Sequence, residues 1–130
     1  MKARVRRLLR LLRVLDDPNL LVPYPERVEA PPGSRIVVLA PHPDDDVLGC
    51  GGTLAKQVVT GASVSVVYLT DGRKGDPTFA SEDDLVKERQ REAVAAAAVL
   101  GIEDVAFLGA RDQELRASAP IVSALRGILG

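Results

Sequence analysis

Three short runs rich in β-branched residues, each followed by a helical pattern, constrain this chain more than any other feature. "RIVVLA" (35–40), "SVSVVYLT" (63–70) and "DVAFLG" (104–109) read as strands, the first opened by a Pro-Pro-Gly breaker. Residues 51–61, 81–101 and 119–130 read as helices. Gly61 and Gly101 stop the first two, Ser81 is placed to cap the second, and Pro120 sits in the first turn of the third. Strand–helix alternation of this kind gives parallel pairing with right-handed crossovers, an α/β fold. Ligands of such sheets sit beyond the carboxyl ends of the strands. Those ends lead into 41–52, 70–78 and 109–115, all carrying acids and glycines, so the three loops are expected to converge.

At 130 residues, 46% of them hydrophobic, the chain can bury one sizeable core, and it has no apolar stretch long enough to span a bilayer. Its net charge of −1 hides an asymmetry. Residues 1–15 carry six basic groups (Lys2, Arg4, Arg6, Arg7, Arg10, Arg13) and no acid, leaving 11 basic against 18 acidic residues in the remainder. An acidic body repels phosphates, which argues against nucleic acid as a partner. Val5, Leu8, Leu12 and Leu15 recur at helical spacing among those arginines. Three readings stay open: a helix packed on its own domain or on a neighbouring copy in a homo-oligomer, a peripheral membrane contact, or a targeting segment. Five prolines follow before the first strand, so residues 1–34 read as a basic amphipathic helix and linker, and 35–130 as the α/β domain. A single cysteine cannot form an internal disulfide, and the expected location is cytoplasmic.

Directly after the first strand comes "APHPDDDVLGCGG" (40–52), which holds the chain's only histidine and only cysteine. His42, Asp44 and Asp45 stand at i, i+2 and i+3 on a segment stiffened by Pro41 and Pro43. Imidazole with carboxylate is a borderline-soft donor set that suits zinc and accepts iron, manganese or cobalt. A second carboxylate beside such an ion could take a proton from its water. Against this stands a plain alternative, that the acidic run is a solvated loop. The glycines do not make a dinucleotide fingerprint, because Leu54 occupies the third glycine position and aspartates would face the pyrophosphate. They are expected instead to let the helix start pack close to the sheet. Cys50 reads as a small buried residue, with metal ligation a minor alternative.

"APHPDDDVLGCGGTLA" resembles the signature of the LmbE/PIG-L family, zinc-dependent N-deacetylases of N-acetylglucosamine-type substrates. "VSVVYLTDGRKG", "RQREAVAAAAVLGI" and "FLGARDQEL" resemble further segments of that family in the right order, covering about residues 35–116. The resemblance implies a Rossmann-like three-layer sandwich with a mostly parallel sheet. It implies Zn2+ (or Fe2+, Mn2+ or Co2+) held by His42 and Asp45, with Asp44 as the general base. It places Arg89 and Asp112 at substrate-binding positions, although helical spacing alone puts Arg89 on a solvated face and makes Asp112 a turn residue. Asp46 stands where the family has glutamate, keeping the charge with a shorter reach. The family's third ligand is a histidine in a later segment, and this sequence has no second histidine. The expectation is therefore an α/β fold cut short at its C-terminus.

The function expected first is a metal-dependent amidase that releases acetate from an amino sugar or glycoconjugate. Magnesium-dependent phosphoryl transfer is the alternative enzyme class, with the threonine of "VVYLT" on the phosphate. A non-catalytic fragment that serves as an interaction module is the third.

Overall fold

A computed structural model describes residues 33–130; the readings of the basic segment 1–15 and of the linker up to residue 32 lie outside the described residues. The elements run β1 (Arg35–Ala40), α1 (Asp45–Val59), β2 (Ser63–Thr70), α2 (Glu82–Val99), β3 (Asp104–Ala110) and α3 (Ala119–Leu129). The strands form one sheet in the order β1-β2-β3, with both pairings parallel. Arg35 pairs with Ser63 and Ala40 with Tyr68, and Ser65 pairs with Asp104. The strand–helix alternation read from the sequence is the observed architecture.

Alternation along the central strand sets the layers. Val64, Val66, Tyr68 and Thr70 of β2 are buried, and the first three join Ala40, Leu54, Ala93, Ala97 and Ile102 in one core. Because α1 (Leu54) and α2 (Ala93, Ala97) enter the same cluster, both helices cover one face of the sheet. Full burial of a Val, Leu or Phe-sized side chain stabilises by roughly 1.5–3 kcal/mol, so this face carries most of the domain's stability. The other face is approached by α3, whose Ile128 and Leu129 line a cavity with Val37, Ser63 and Ser65; α3 itself buries no residue.

Helix ends follow local chemistry. The Ser81 hydroxyl accepts the Asp84 N–H at 3.1 Å, and Glu82, Asp83 and Asp84 fill the first turn of α2, favourable at the positive end of the helix. Gly101 takes φ +76 after the last turn of α2, and the Ile102 N–H returns to the Ala97 carbonyl at 2.9 Å. The start of α1 differs from the sequence reading. It begins at Asp45 rather than at Gly51, so Gly49, Gly51 and Gly52 lie inside the helix. Those glycines do not bring α1 close to the sheet. A Cβ at Gly49 or Gly52 would meet nothing within 4 Å, and one at Gly51 would meet only Val47 of the same helix, at 3.5 Å. The acids of the first turn favour an early start, which offsets the modest cost of interior glycines.

Candidate active site at the strand ends

The site is built by how the strands stop. At the end of β2 the Thr70 N–H and hydroxyl both donate to the Pro41 carbonyl, at 3.0 and 2.8 Å, tying the loop after β1 to the central strand. Between β2 and β3 the register slips after Tyr68–Phe107, and Gly109 sits there at φ +66. Such a bulge redirects the strand that bears it. It brings the Ala110 carbonyl to the Asp71 N–H at 2.9 Å and the Asp112 N–H to the Asp71 carboxylate at 3.1 Å. The loops after all three strands thus meet at one end of the sheet.

His42 is the centre of the cluster. Its Nδ1 lies 3.0 Å from Asp45 Oδ2, and its Nε2 lies 3.1 Å from Asp112 Oδ1. The same Asp45 oxygen accepts the His42 backbone N–H at 3.0 Å. Burial by itself lowers the imidazole's affinity for a proton, but the carboxylates of Asp112 and Asp45 outweigh it and hold the pKa above its ordinary value. His42 and Asp45 therefore face one point, and both remain about two-fifths exposed, at 40% and 41%.

Asp44, at the N-cap of α1, makes no capping bond. Its carboxylate is held instead by the Arg89 guanidinium at 2.8 Å, and the same guanidinium donates to the Gly72 carbonyl at 3.3 Å. Arg89 does not lie on a solvated helix face: its side chain is only 20% exposed, and it crosses from α2 to the β2 loop. That loop is shaped around it. Gly72 has φ +64, and a Cβ there would come within 3.1 Å of Pro43 and 3.2 Å of Arg89. From Asp44 and Arg89 a groove of about 320 Å³ runs between α1 and α2, past Val47, Leu48, Ala93 and Ala96.

Two residues that the sequence reading did not single out support the site. Asp71 is buried and receives the Arg73 Nε–H at 2.7 Å, the Arg73 N–H at 3.2 Å and the Asp112 N–H. Burial alone would raise its pKa, yet these donors hold it below the ordinary carboxylate value. Lys74 and Arg73 in turn pair with Glu82 at the start of α2. The only sequence signal for Asp71 was its place one residue beyond the second strand.

Donor chemistry at His42 and Asp45 fits two positions of a zinc-type set, nitrogen and oxygen converging on the open side of the loop. Among the described residues no group of three or more His, Cys, Asp or Glu side chains is arranged to hold a metal ion. Cys50 does not complete one. It packs against the core with its thiol turned back to the Asp46 carbonyl at 3.2 Å, and burial with the Asp46 charge raises its pKa. Phosphate binding by Thr70 is excluded by its geometry, because its hydroxyl is buried and committed to Pro41.

A parallel α/β sheet whose strand ends gather one imidazole and several carboxylates defines a Rossmann-like domain with an acid-rich site. Residues 37–129 match the model of a family described as PIG-L, GlcNAc-PI de-N-acetylase, and the chain belongs to that family. It is 40% identical over 88 residues to a 1D-myo-inositol 2-acetamido-2-deoxy-alpha-D-glucopyranoside deacetylase of Actinosynnema mirum, covering 62% of this chain and 30% of that protein. A probable N-acetyl-alpha-D-glucosaminyl L-malate deacetylase 2 of Bacillus anthracis is 32% identical over 90 residues, 66% of this chain and 40% of that one. Among solved structures, the N,N'-diacetylchitobiose deacetylase of Pyrococcus horikoshii superposes with a TM-score of 0.70 at 35% identity, over 74% of this chain and 36% of that one. GalB, a 4-carboxy-2-hydroxymuconate hydratase of Pseudomonas putida KT2440, superposes with a TM-score of 0.68 at 27% identity, over 74% and 42%. The chain thus spans well under half the length of these relatives.

Proposed function

We propose that this chain carries the amino-terminal part of the catalytic site of a metal-dependent hydrolase that removes the acetyl group from an N-acetylglucosamine-type amino sugar or glycoconjugate. The observation that carries the reading is the contact of His42 with Asp45 beside the Asp44–Arg89 pair, at the carboxyl end of β1. The deacetylase relatives support the substrate class. A hydratase on the same fold shows that the fold alone does not choose the reaction, so the residues must.

In this reading His42 and Asp45 hold a divalent ion, zinc or another of its class, with a further donor from outside the described residues. Such an ion supplies Lewis-acid polarisation of the acetyl carbonyl and eases loss of a proton from water. Asp44 takes that proton as water adds to the amide carbon, and returns it to the amine as the C–N bond breaks, leaving acetate and the free amino sugar. Arg89 aims the Asp44 carboxylate and presents its remaining N–H groups to the sugar. Asp112 fixes the orientation of the His42 ring through Nε2 and lines the substrate side. A cytoplasmic location and a membrane-peripheral role for residues 1–15 belong to the same proposal; no helix of the described residues is long and apolar enough to cross a membrane.

The test is acetate release from a panel of N-acetylglucosaminides, with zinc, manganese or cobalt in excess, by this chain completed with a relative's histidine-bearing segment and by the same protein carrying Asp44→Asn. Release that depends on the ion and is lost in Asp44→Asn supports the reading. Equal release from both proteins sinks it.

A further inference from the structure

The three consecutive aspartates are held in three ways, and the third has no partner in view. Asp44 is paired with Arg89 and Asp45 with His42. Asp46 is 1% exposed, and neither of its carboxylate oxygens makes a hydrogen bond. One other buried side chain shares that condition: Tyr68, 0% exposed, whose hydroxyl is also unpartnered. The two are neighbours. Burial first, then the charge of Asp46 and its nearness to the phenol as an acceptor, with the charge of Asp44, raise the phenol's pKa above its ordinary value. A carboxylate and a phenol therefore lie side by side under the site, short of good hydrogen-bond geometry. Buried polar groups in folded proteins are almost always joined, either to each other or through ordered water.

Their positions in the fold give the pair a purpose. Tyr68 is a fixed point: it lies in the central strand, and its ring stacks on Phe107 with centroids 5.0 Å apart and planes 22° from parallel. Asp46 lies in the first turn of α1, next in sequence to Asp45 and two residues from Asp44. Whatever ties Asp46 to Tyr68 ties that turn to the rigid middle of the sheet. We propose that Asp46 is a positioning residue: its carboxylate accepts the Tyr68 hydroxyl proton and so sets the aim of Asp44 and Asp45 from beneath. Only the use made of that aim rests on the deacetylase reading.

His42, the chain's only histidine, supplies the probe, since its ring bonds Asp45 directly. The experiment compares the full native chain with Asp46→Glu, Asp46→Leu, Tyr68→Phe and the Asp46→Leu/Tyr68→Phe double variant, all without metal. It reads the His42 ring nitrogen signals well below each melting temperature, and the Tm itself. Tyr68→Phe leaves every charge in place, so a shift it causes at His42 reports geometry rather than field. The expected result is that Tyr68→Phe and Asp46→Leu each move the His42 signals and lower Tm by several degrees. The double variant loses less than the two single losses combined. Asp46→Glu, which keeps the carboxylate, holds the signals and the Tm nearer the native values than Asp46→Leu does. A slowly exchanging Tyr68 hydroxyl proton is expected in the native chain and in fast exchange in Asp46→Leu. Unmoved His42 signals in Tyr68→Phe, additive Tm losses, or a fast-exchanging Tyr68 hydroxyl in the native chain would each overturn the proposal. If Asp46→Leu does not fold, Tyr68→Phe and Asp46→Glu still decide it. Failure of acetate release would remove the deacetylase reading and leave these signals as they are.

Discussion

Single residues divide the work at the strand ends, and their substitutions should separate accordingly. Asp44 touches Arg89 and not His42, whereas Asp45 touches His42 by side chain and by backbone acceptance. In a form whose metal site is completed by a relative's histidine-bearing segment, Asp44→Asn is therefore expected to keep bound metal while activity falls on the order of a hundred-fold or more, the usual worth of a general base. Asp45→Asn is expected to lose both. Elemental analysis beside the acetate assay checks this, and equal metal loss in the two variants would refute the division. Asp71 gives a prediction in pH. Its folded pKa is depressed, so the stability it contributes is complete above the ordinary aspartate pKa and is lost as pH falls through the lowered value. Asp71→Asn strips a carboxylate from Arg73 and from the Asp112 backbone N–H and is expected to lower stability. The Tm gap between native and Asp71→Asn should be wide at neutral pH and narrow below about pH 4. A gap that stays constant with pH would mean that charge is not the cause. The convergence of His42 with Asp45 was legible in the sequence, because both lie on one short proline-stiffened loop. Asp71 was not, since the contact that ties it to the site comes from the Asp112 backbone beyond β3, 41 residues away. Arg89 was legible only through family resemblance; helical periodicity counts it as solvent-facing because nothing local reveals the loop that closes over it.

Elements show where glycine serves geometry and where it does not. Gly72 combines a positive φ with close neighbours on two sides. Gly72→Ala is expected to cost about 1–2 kcal/mol through the left-handed backbone alone. It should also push Arg89 from the Gly72 carbonyl and loosen Asp44. Gly49 and Gly52 lie in the body of α1 with open space around them. Gly49→Ala and Gly52→Ala should each stabilise by about 0.5–1 kcal/mol. Thermal melts of the three variants give opposite signs if this account is right; destabilisation by Gly49→Ala would show that the exposed glycine face meets something else. The same contrast explains how much of the fold the sequence disclosed. Strand limits and helix stops were marked by local chemistry, such as Gly61 at φ +87 and Gly101 at φ +76. The start of α1 was not, because clustered glycines signal a break, while the acids before them already favour the first helical turn.

Among the described residues one face of the sheet carries a packed core, and the metal site is sparse. Zinc titrated into this chain is expected to bind weakly, since two protein donors leave the ion mostly hydrated. Tight one-to-one binding would show that a third donor lies among residues assigned otherwise. Removal of residues 1–15 is expected to leave the thermal transition of the α/β body in place, because they precede a proline-rich stretch and lie outside the family match at 37–129. Collapse of that transition would make the basic segment part of the core. The sheet order β1-β2-β3 also bears on time. Each strand pairs with the one made just before it, so assembly can follow synthesis: β1 and β2 close over α1 once Thr70 has emerged, and β3 adds to an existing template. The search is split into two shorter loop closures in place of one long-range encounter. Substitutions that weaken β2 should then slow refolding, and those in α3, which buries nothing, should mainly hasten unfolding.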